Sequence, residues 1–166
     1  LEPTLFDRMK LFEVEAPKLA IKSILECMKR REIKDLTHLI TVSCTGLYAP
    51  GLDLDIVNQL NMNTCIQRTA INFMGCYGVF NGLKLAQSIC ESSTNAQVLI
   101  VSVELCTLHF QRKKDESSNL SQALFSDGAA SCLVTNEETS NAFLIDQFYC
   151  DILSEGRNEM SWKIGQ

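Results

Sequence analysis

No apolar run among the 166 residues reaches the roughly 18 that a membrane span needs, and Leu1 to Lys10 lacks the charged-then-apolar layout of a signal peptide. A cytoplasmic protein with no membrane association is the expectation. A basic stripe is also missing. The net charge is −5, and the only basic runs are Lys29-Arg30-Arg31 and Arg112-Lys113-Lys114, which give no electrostatic footprint for nucleic acid. The eight cysteines (27, 44, 65, 76, 90, 106, 132 and 150) include no CxxC pair, and no Cys or His pair has ligand spacing. Neither a metal site nor a disulfide framework is expected, and most of these thiols should behave as small core hydrophobes. No internal repeat or low-complexity tract appears. With 46% hydrophobic and 21% charged residues, one domain with a real core is the default. The chain starts at Leu1 and its last residues, Met160 to Gln166, read as a half-written strand, so an incomplete domain over 1–166, truncated at both ends, is expected.

Apolar residues Ile21, Ile24, Leu25 and Met28 recur at helical spacing between Glu13 and Arg31, with Pro17 suited to a first turn. Thr37–Ser43 is short, β-branched and apolar, as a strand buried on both faces should be. A turn at Tyr48–Gly51, a short helix over Leu52–Leu60 and a strand over Cys65–Asn72 follow. Gly75–Gly78 reads as a sharp turn, Val79–Glu91 as a helix and Gln97–Val103 as a second continuous apolar strand. Gln111–Ser121 is polar and expected to be a surface loop, with late strands over Ala129–Thr135 and Asn141–Cys150. This alternation predicts an α/β fold, a mainly parallel mixed sheet with helices on both faces.

The segment INFMGCYGVFNGLKLA, residues 71–86, sets Cys76 between two glycines where a strand turns into a helix. Such glycines permit a turn too tight for a Cβ, and a helix N-terminus favours the thiolate, the nucleophilic form. The N–H groups there could also stabilise an oxyanion. Local sequence leaves a second reading open, in which Cys76 simply fills a crowded turn. His38, in an apolar strand, reads as structural, and so does His109, with the lining of a pocket as its alternative. Phe110 reads either as a staple for the polar loop or as the wall of a pocket. Asp127-Gly128 reads as a tight turn before a strand.

Together these segments resemble the type III polyketide synthases, the chalcone and stilbene synthase family with the thiolase fold. The resemblance rests on Glu13-Val14-Glu15-Ala16-Pro17, THLITVSCTGLYAPGLD (37–53), INFMGCYG (71–78), VLIVSVELCTLHFQ (98–111) and QALFSDGAA (122–130), in the family's order and spacing. The forms SCTG and MGCYG are more similar to bacterial members. The resemblance implies that Cys76 accepts a starter acyl group from an acyl-CoA and condenses it with malonyl-CoA by decarboxylative Claisen chemistry. It implies that Phe110 gates the pocket, that Cys44 and Thr45 line the substrate cavity, and that Ala49-Pro50 forms a cis-peptide turn. Ala49 stands where plant enzymes carry a methionine that reaches into the partner subunit, so the cross-subunit wall would be thinner. A homodimer is implied for the parent enzyme, with coenzyme A thioesters as substrates and no other cofactor. The family's catalytic histidine and asparagine belong to a C-terminal half, and its CoA-binding basic residues to a segment before Leu1. The 166 residues alone are therefore expected to be inactive in condensation. Two alternatives are an initiating 3-ketoacyl-carrier-protein synthase and a non-catalytic dimerisation or scaffold fragment.

Overall fold

The computed structural model describes residues 3–139, 141–158, 161 and 163. The strand expected over 160–166 lies outside the described residues, apart from isolated positions that carry no strand. Among the described residues, four strands and four α-helices follow one another: α1 (Leu5–Cys27), β1 (His38–Ser43), α2 (Leu52–Gln59), β2 (Gln67–Asn72), α3 (Gly78–Ser92), β3 (Gln97–Leu105), α4 (Glu116–Leu124) and β4 (Asp127–Thr135). The sheet order is β2-β1-β3-β4. β1 runs parallel to both β2 and β3, and β4 closes the sheet antiparallel to β3.

The continuous apolar runs of β1 and β3 have the cause expected of them, since helices cover both faces of these strands. Leu39, Leu99, Val101, Val103 and Leu105 pack under α1 and α2, together with Phe12, Ala16, Ala20 and Ile24. Ile40, Val42, Val98 and Ile100 point the other way, against Ala86 and Cys90 of α3. The period-two alternation of side chains divides each strand between two cores. Gly82 lets α3 lie close on its face, because a Cβ there would already touch Ile100, Ile40 and Val42 at 3.5–3.7 Å.

Three expectations are corrected. The first helix begins at Leu5 rather than Glu13, and Pro17 lies in its interior. The cause is a capping box, in which the Thr4 hydroxyl accepts from Asp7 N–H (3.2 Å) and the Asp7 carboxylate accepts from Thr4 N–H (3.1 Å). The expected loop over 111–121 holds the start of α4, which is capped by the Asp115 carboxylate accepting from Ser118 N–H at 2.9 Å. No strand forms over 141–150. Phe143, Leu144 and Tyr149 are fully solvent-facing there, and no neighbouring strand among the described residues offers them a partner.

The cysteines are all free thiols. The expectation of core thiols holds fully only for Cys90. Cys27, Cys44, Cys106 and Cys132 are half-buried, and Cys65, Cys76 and Cys150 are exposed.

The buried carboxylate of Asp53 on α2 pairs with Arg68 of β2, which ties the second helix to the edge of the sheet. Arg68→Ala is expected to leave that carboxylate without its cation and to cost about 2 kcal/mol, less than for a fully buried pair because Arg68 is part-exposed. Urea unfolding of the variant measures it.

Candidate active site at the carboxyl ends of the parallel strands

β1, β2 and β3 run the same way, so the chain leaves all three at one end of the sheet. Cys44-Thr45 follows β1, Phe73–Tyr77 follows β2, and a single 3₁₀ turn, Cys106–His109, follows β3. β4 starts at the same end with Asp127, whose carboxylate accepts from Thr107 N–H at 2.8 Å and from its hydroxyl at 2.6 Å. Open α/β sheets place ligands at this end.

Backbone geometry at the turn after β2 matches the strain expected around Cys76. Phe73 sits at φ +55° and Gly75 at φ +77°, both in the left-handed region that glycine tolerates and other residues seldom adopt. Gly78 serves close approach: a Cβ there would stand 3.0 Å from Val42 Cγ1. Cys76 is exposed between them, one residue before Tyr77, the N-cap of α3. The Gly78 N–H is engaged by the Gly75 carbonyl at 3.0 Å, so it closes the turn instead of facing an oxyanion.

Glu104 organises the neighbouring loop, a role the sequence reading did not assign. Its carboxylate accepts from Cys44 N–H at 2.9 and 3.1 Å and from the Thr45 hydroxyl at 2.6 Å. The Thr45 oxygen in turn accepts from Leu105 N–H at 2.9 Å. An acidic residue inside the apolar run VLIVSVEL was the available signal, since a carboxylate at a strand end needs donors. Burial raises the pKa of both Cys44 and Cys106; the Gly75 carbonyl partly offsets this for Cys44, and the Glu104 charge adds to it for both. For Cys106, the charges of Asp127 and Cys76 act in the same direction. Glu104→Gln removes one negative charge, so both thiol pKa values are expected to fall. At fixed pH both residues should then alkylate faster, read residue by residue by mass spectrometry; unchanged rates would leave burial as the whole cause.

The expected site residues are only partly brought together. Cys44 touches the Cys76 turn directly, its Sγ lying 3.7 Å from the Gly75 carbonyl oxygen. Thr45 is buried, so it holds the loop and does not front open space. Ala49 is exposed and its bond to Pro50 is cis, as the resemblance implied. Phe110 is 54% exposed, and its carbonyl accepts from Arg8 Nη1 at 3.2 Å, which pins the backbone that carries the ring to α1. Phe125 is a second aromatic at this end, 41% exposed and two residues before Asp127. His109 donates from Nε2 to the Thr45 carbonyl at 2.6 Å. His38 starts β1 and lies at the opposite end of the sheet. Among the described residues, no group of three or more His, Cys, Asp or Glu side chains is arranged to hold a metal ion.

The sequence model of the chalcone and stilbene synthases, N-terminal domain, matches residues 1–138. The chain belongs to the chalcone and stilbene synthase family. It is 31% identical over 152 residues to type III polyketide synthase C of Arabidopsis thaliana, covering 89% of this chain and 40% of that protein. Bisdemethoxycurcumin synthase of Oryza sativa subsp. japonica is 31% identical over 136 residues, covering 80% of this chain and 34% of that enzyme. The fold is that of the C-terminal type III polyketide synthase domain of Steely1, a type I/III hybrid from Dictyostelium. That match has a TM-score of 0.78 at 26% identity and covers 83% of this chain and 39% of that one. The chain thus spans 34–40% of the length of these relatives. Family membership favours the type III polyketide synthase reading over the carrier-protein-dependent alternative. No described helix is long and apolar enough to cross a membrane.

Proposed function

We propose that this chain supplies the acyl-accepting cysteine of a type III polyketide synthase. Cys76 would attack the thioester carbonyl of an acyl-CoA, release coenzyme A and hold the acyl group while malonyl-CoA loses carbon dioxide and condenses with it. The observation that carries this reading is an exposed thiol on a turn strained by Phe73 and Gly75, at the carboxyl end of the sheet of a family member. Phe110 is the proposed gate of the pocket, and Phe125, of the same chemistry and at the same end, competes for that role. Cys44 and Thr45 shape the floor through their bonds to Glu104.

Residues 1–166 by themselves are proposed to capture an acyl group without condensing it, because the histidine and asparagine that the resemblance implies belong to the family's C-terminal half. Incubation with an acyl-CoA, followed by intact-mass and peptide analysis, tests this. The expected result is one acyl adduct, on Cys76, with no carbon dioxide released from malonyl-CoA. Slow, uniform labelling of all the cysteines would support a non-catalytic scaffold instead.

A homodimer in a cytoplasmic setting is part of the same proposal. β2 is an edge strand with exposed residues along its length, and the apolar side chains of Phe73, Met74, Tyr77 and Phe80 continue from it into α3. An unpaired edge beside an apolar patch suits a second copy of the chain.

A further inference from the structure

Three cysteines, Cys44, Cys76 and Cys106, lie in the segments that follow three adjacent strands, and the acyl-transfer reading uses only one of them. Cys44 touches the turn that carries Cys76. Its Sγ lies 3.7 Å from the carbonyl oxygen of Gly75, and that carbonyl is bonded to the nitrogen of Cys76. Standard peptide dimensions then put the Cys44 sulfur at most about 6.5 Å from the Cys76 Cα. A Cys76 sulfur swung inward closes part of that distance, and movement of the turn would have to supply the rest. Gly75, at φ +77° with open space where a Cβ would stand, gives the turn room to adjust.

Solvent access differs in the way a sensing and resolving pair needs. Cys76 is exposed and meets a small oxidant first, whereas Cys44 is half-buried beneath the turn and shielded from direct attack. Cys44 is also held in place, since its N–H is fixed by both oxygens of Glu104. The partner thiol therefore stays beside the turn whatever the Cys76 side chain does.

We propose that Cys44 is a resolving thiol that converts peroxide-oxidised Cys76 into a reversible Cys44–Cys76 disulfide. The Cys76 thiolate attacks one oxygen of hydrogen peroxide and the O–O bond breaks. Sulfenic acid forms on Cys76 and the second oxygen leaves as hydroxide, so sulfur is oxidised by two electrons and the peroxide is reduced. The Cys44 sulfur then attacks the Cys76 sulfur, the S–S bond forms, and the S–O bond breaks. The oxygen leaves as water with the proton from the Cys44 thiol. A thiol reductant returns both cysteines, whereas Cys76 without a resolving partner would pass on to the sulfinic acid, which thiols do not reverse. That the disulfide would silence acyl capture rests on the proposed function; the disulfide itself does not.

The test treats the reduced chain with a small excess of hydrogen peroxide, blocks remaining thiols with an alkylating agent and maps the digest. The expected result is a linked peptide pair carrying Cys44 and Cys76, two unalkylated cysteines among the eight, and full recovery with dithiothreitol. In Cys44→Ser, Cys76 should instead accumulate as sulfinic acid that dithiothreitol leaves unchanged. A Cys76–Cys106 linkage in the wild-type chain, or sulfinic acid on Cys76 without any disulfide, would overturn the proposal. The wild-type map alone decides if the variant fails to fold. Acyl capture by the reduced chain is scored separately, so a linked pair without acyl capture would defeat the proposed function and leave this inference standing.

Discussion

Replacing Cys76 by alanine is expected to abolish site-specific acyl capture from a coenzyme A thioester while leaving the urea midpoint of the chain unchanged. The two halves of that result have separate causes. Cys76 is exposed, so its side chain contributes little to packing, and substitution at such a position changes stability by no more than about 0.5 kcal/mol. Its sulfur, by contrast, is the only group proposed to form the new thioester. Cys76→Ser is the sharper control. It keeps size and turn geometry but offers a hydroxyl that is not ionised near neutral pH, so capture should again fall to the background of the other cysteines. Adducts that persist in both variants at the wild-type rate would assign the chemistry elsewhere, and peptide mapping would say where.

Gly46→Ala is the second large effect, and it acts on the fold. A Cβ at Gly46 would stand 2.1 Å from Cγ and Cδ1 of Phe12 and 2.3 Å from its Cδ2, well inside contact distance. The ring has little freedom to yield. Phe12 is 2% exposed, packs among Ala16, Ala20 and Ile24, and meets the edge of Tyr48 with ring centroids 6.2 Å apart. Overpacking of this kind costs about 3 kcal/mol, a large part of the marginal stability of a small domain. Phe12→Ala alone should cost about 3–5 kcal/mol by opening a cavity. Once the ring is gone, a methyl at 46 meets empty space, so the double variant should be no worse than Phe12→Ala. That non-additivity, measured by urea unfolding of the four chains, separates a steric clash from a general intolerance of the loop. A loss below 1 kcal/mol for Gly46→Ala would mean that the loop moves freely. Because Gly46 follows Thr45, such a movement would also loosen the bonds that Glu104 makes to Cys44 and Thr45.

The parts of this molecule that were legible in advance are those set by local physics. β1 and β3 announce themselves because strands covered on both faces must be apolar throughout, and the Gly75–Gly78 turn does so because few residues besides glycine tolerate the backbone at Gly75 and a Cβ at Gly78 would crowd Val42. The start of α1 was missed because the stop-and-start signal was a two-residue exchange between Thr4 and Asp7, outweighed by the more familiar look of Pro17 in a first turn. α4 was missed because its polar sequence matches a loop and only the Asp115 cap distinguishes it. The stretch 141–150 shows the converse error: strand-like composition does not make a strand where no described neighbour pairs with it. At the site, the cis turn at Ala49 was readable from motifs. Glu104 was not, because its importance lies in donors contributed from the loop after β1, some sixty residues earlier in the chain.

The central place of β1 also has a bearing on how the chain acquires its structure. Both neighbours of β1 come later in the sequence: His38 pairs with Gln67 on one side and with Val98 on the other. During synthesis α1 and β1 therefore emerge with their apolar faces bare, and no hydrogen-bonded partner exists until β2 has been made. The sheet core closes only when β3 arrives. Such long-range parallel pairing has to overcome loop-closure entropy before any contact rewards it, which makes folding slow and leaves the nascent chain dependent on protection from premature association.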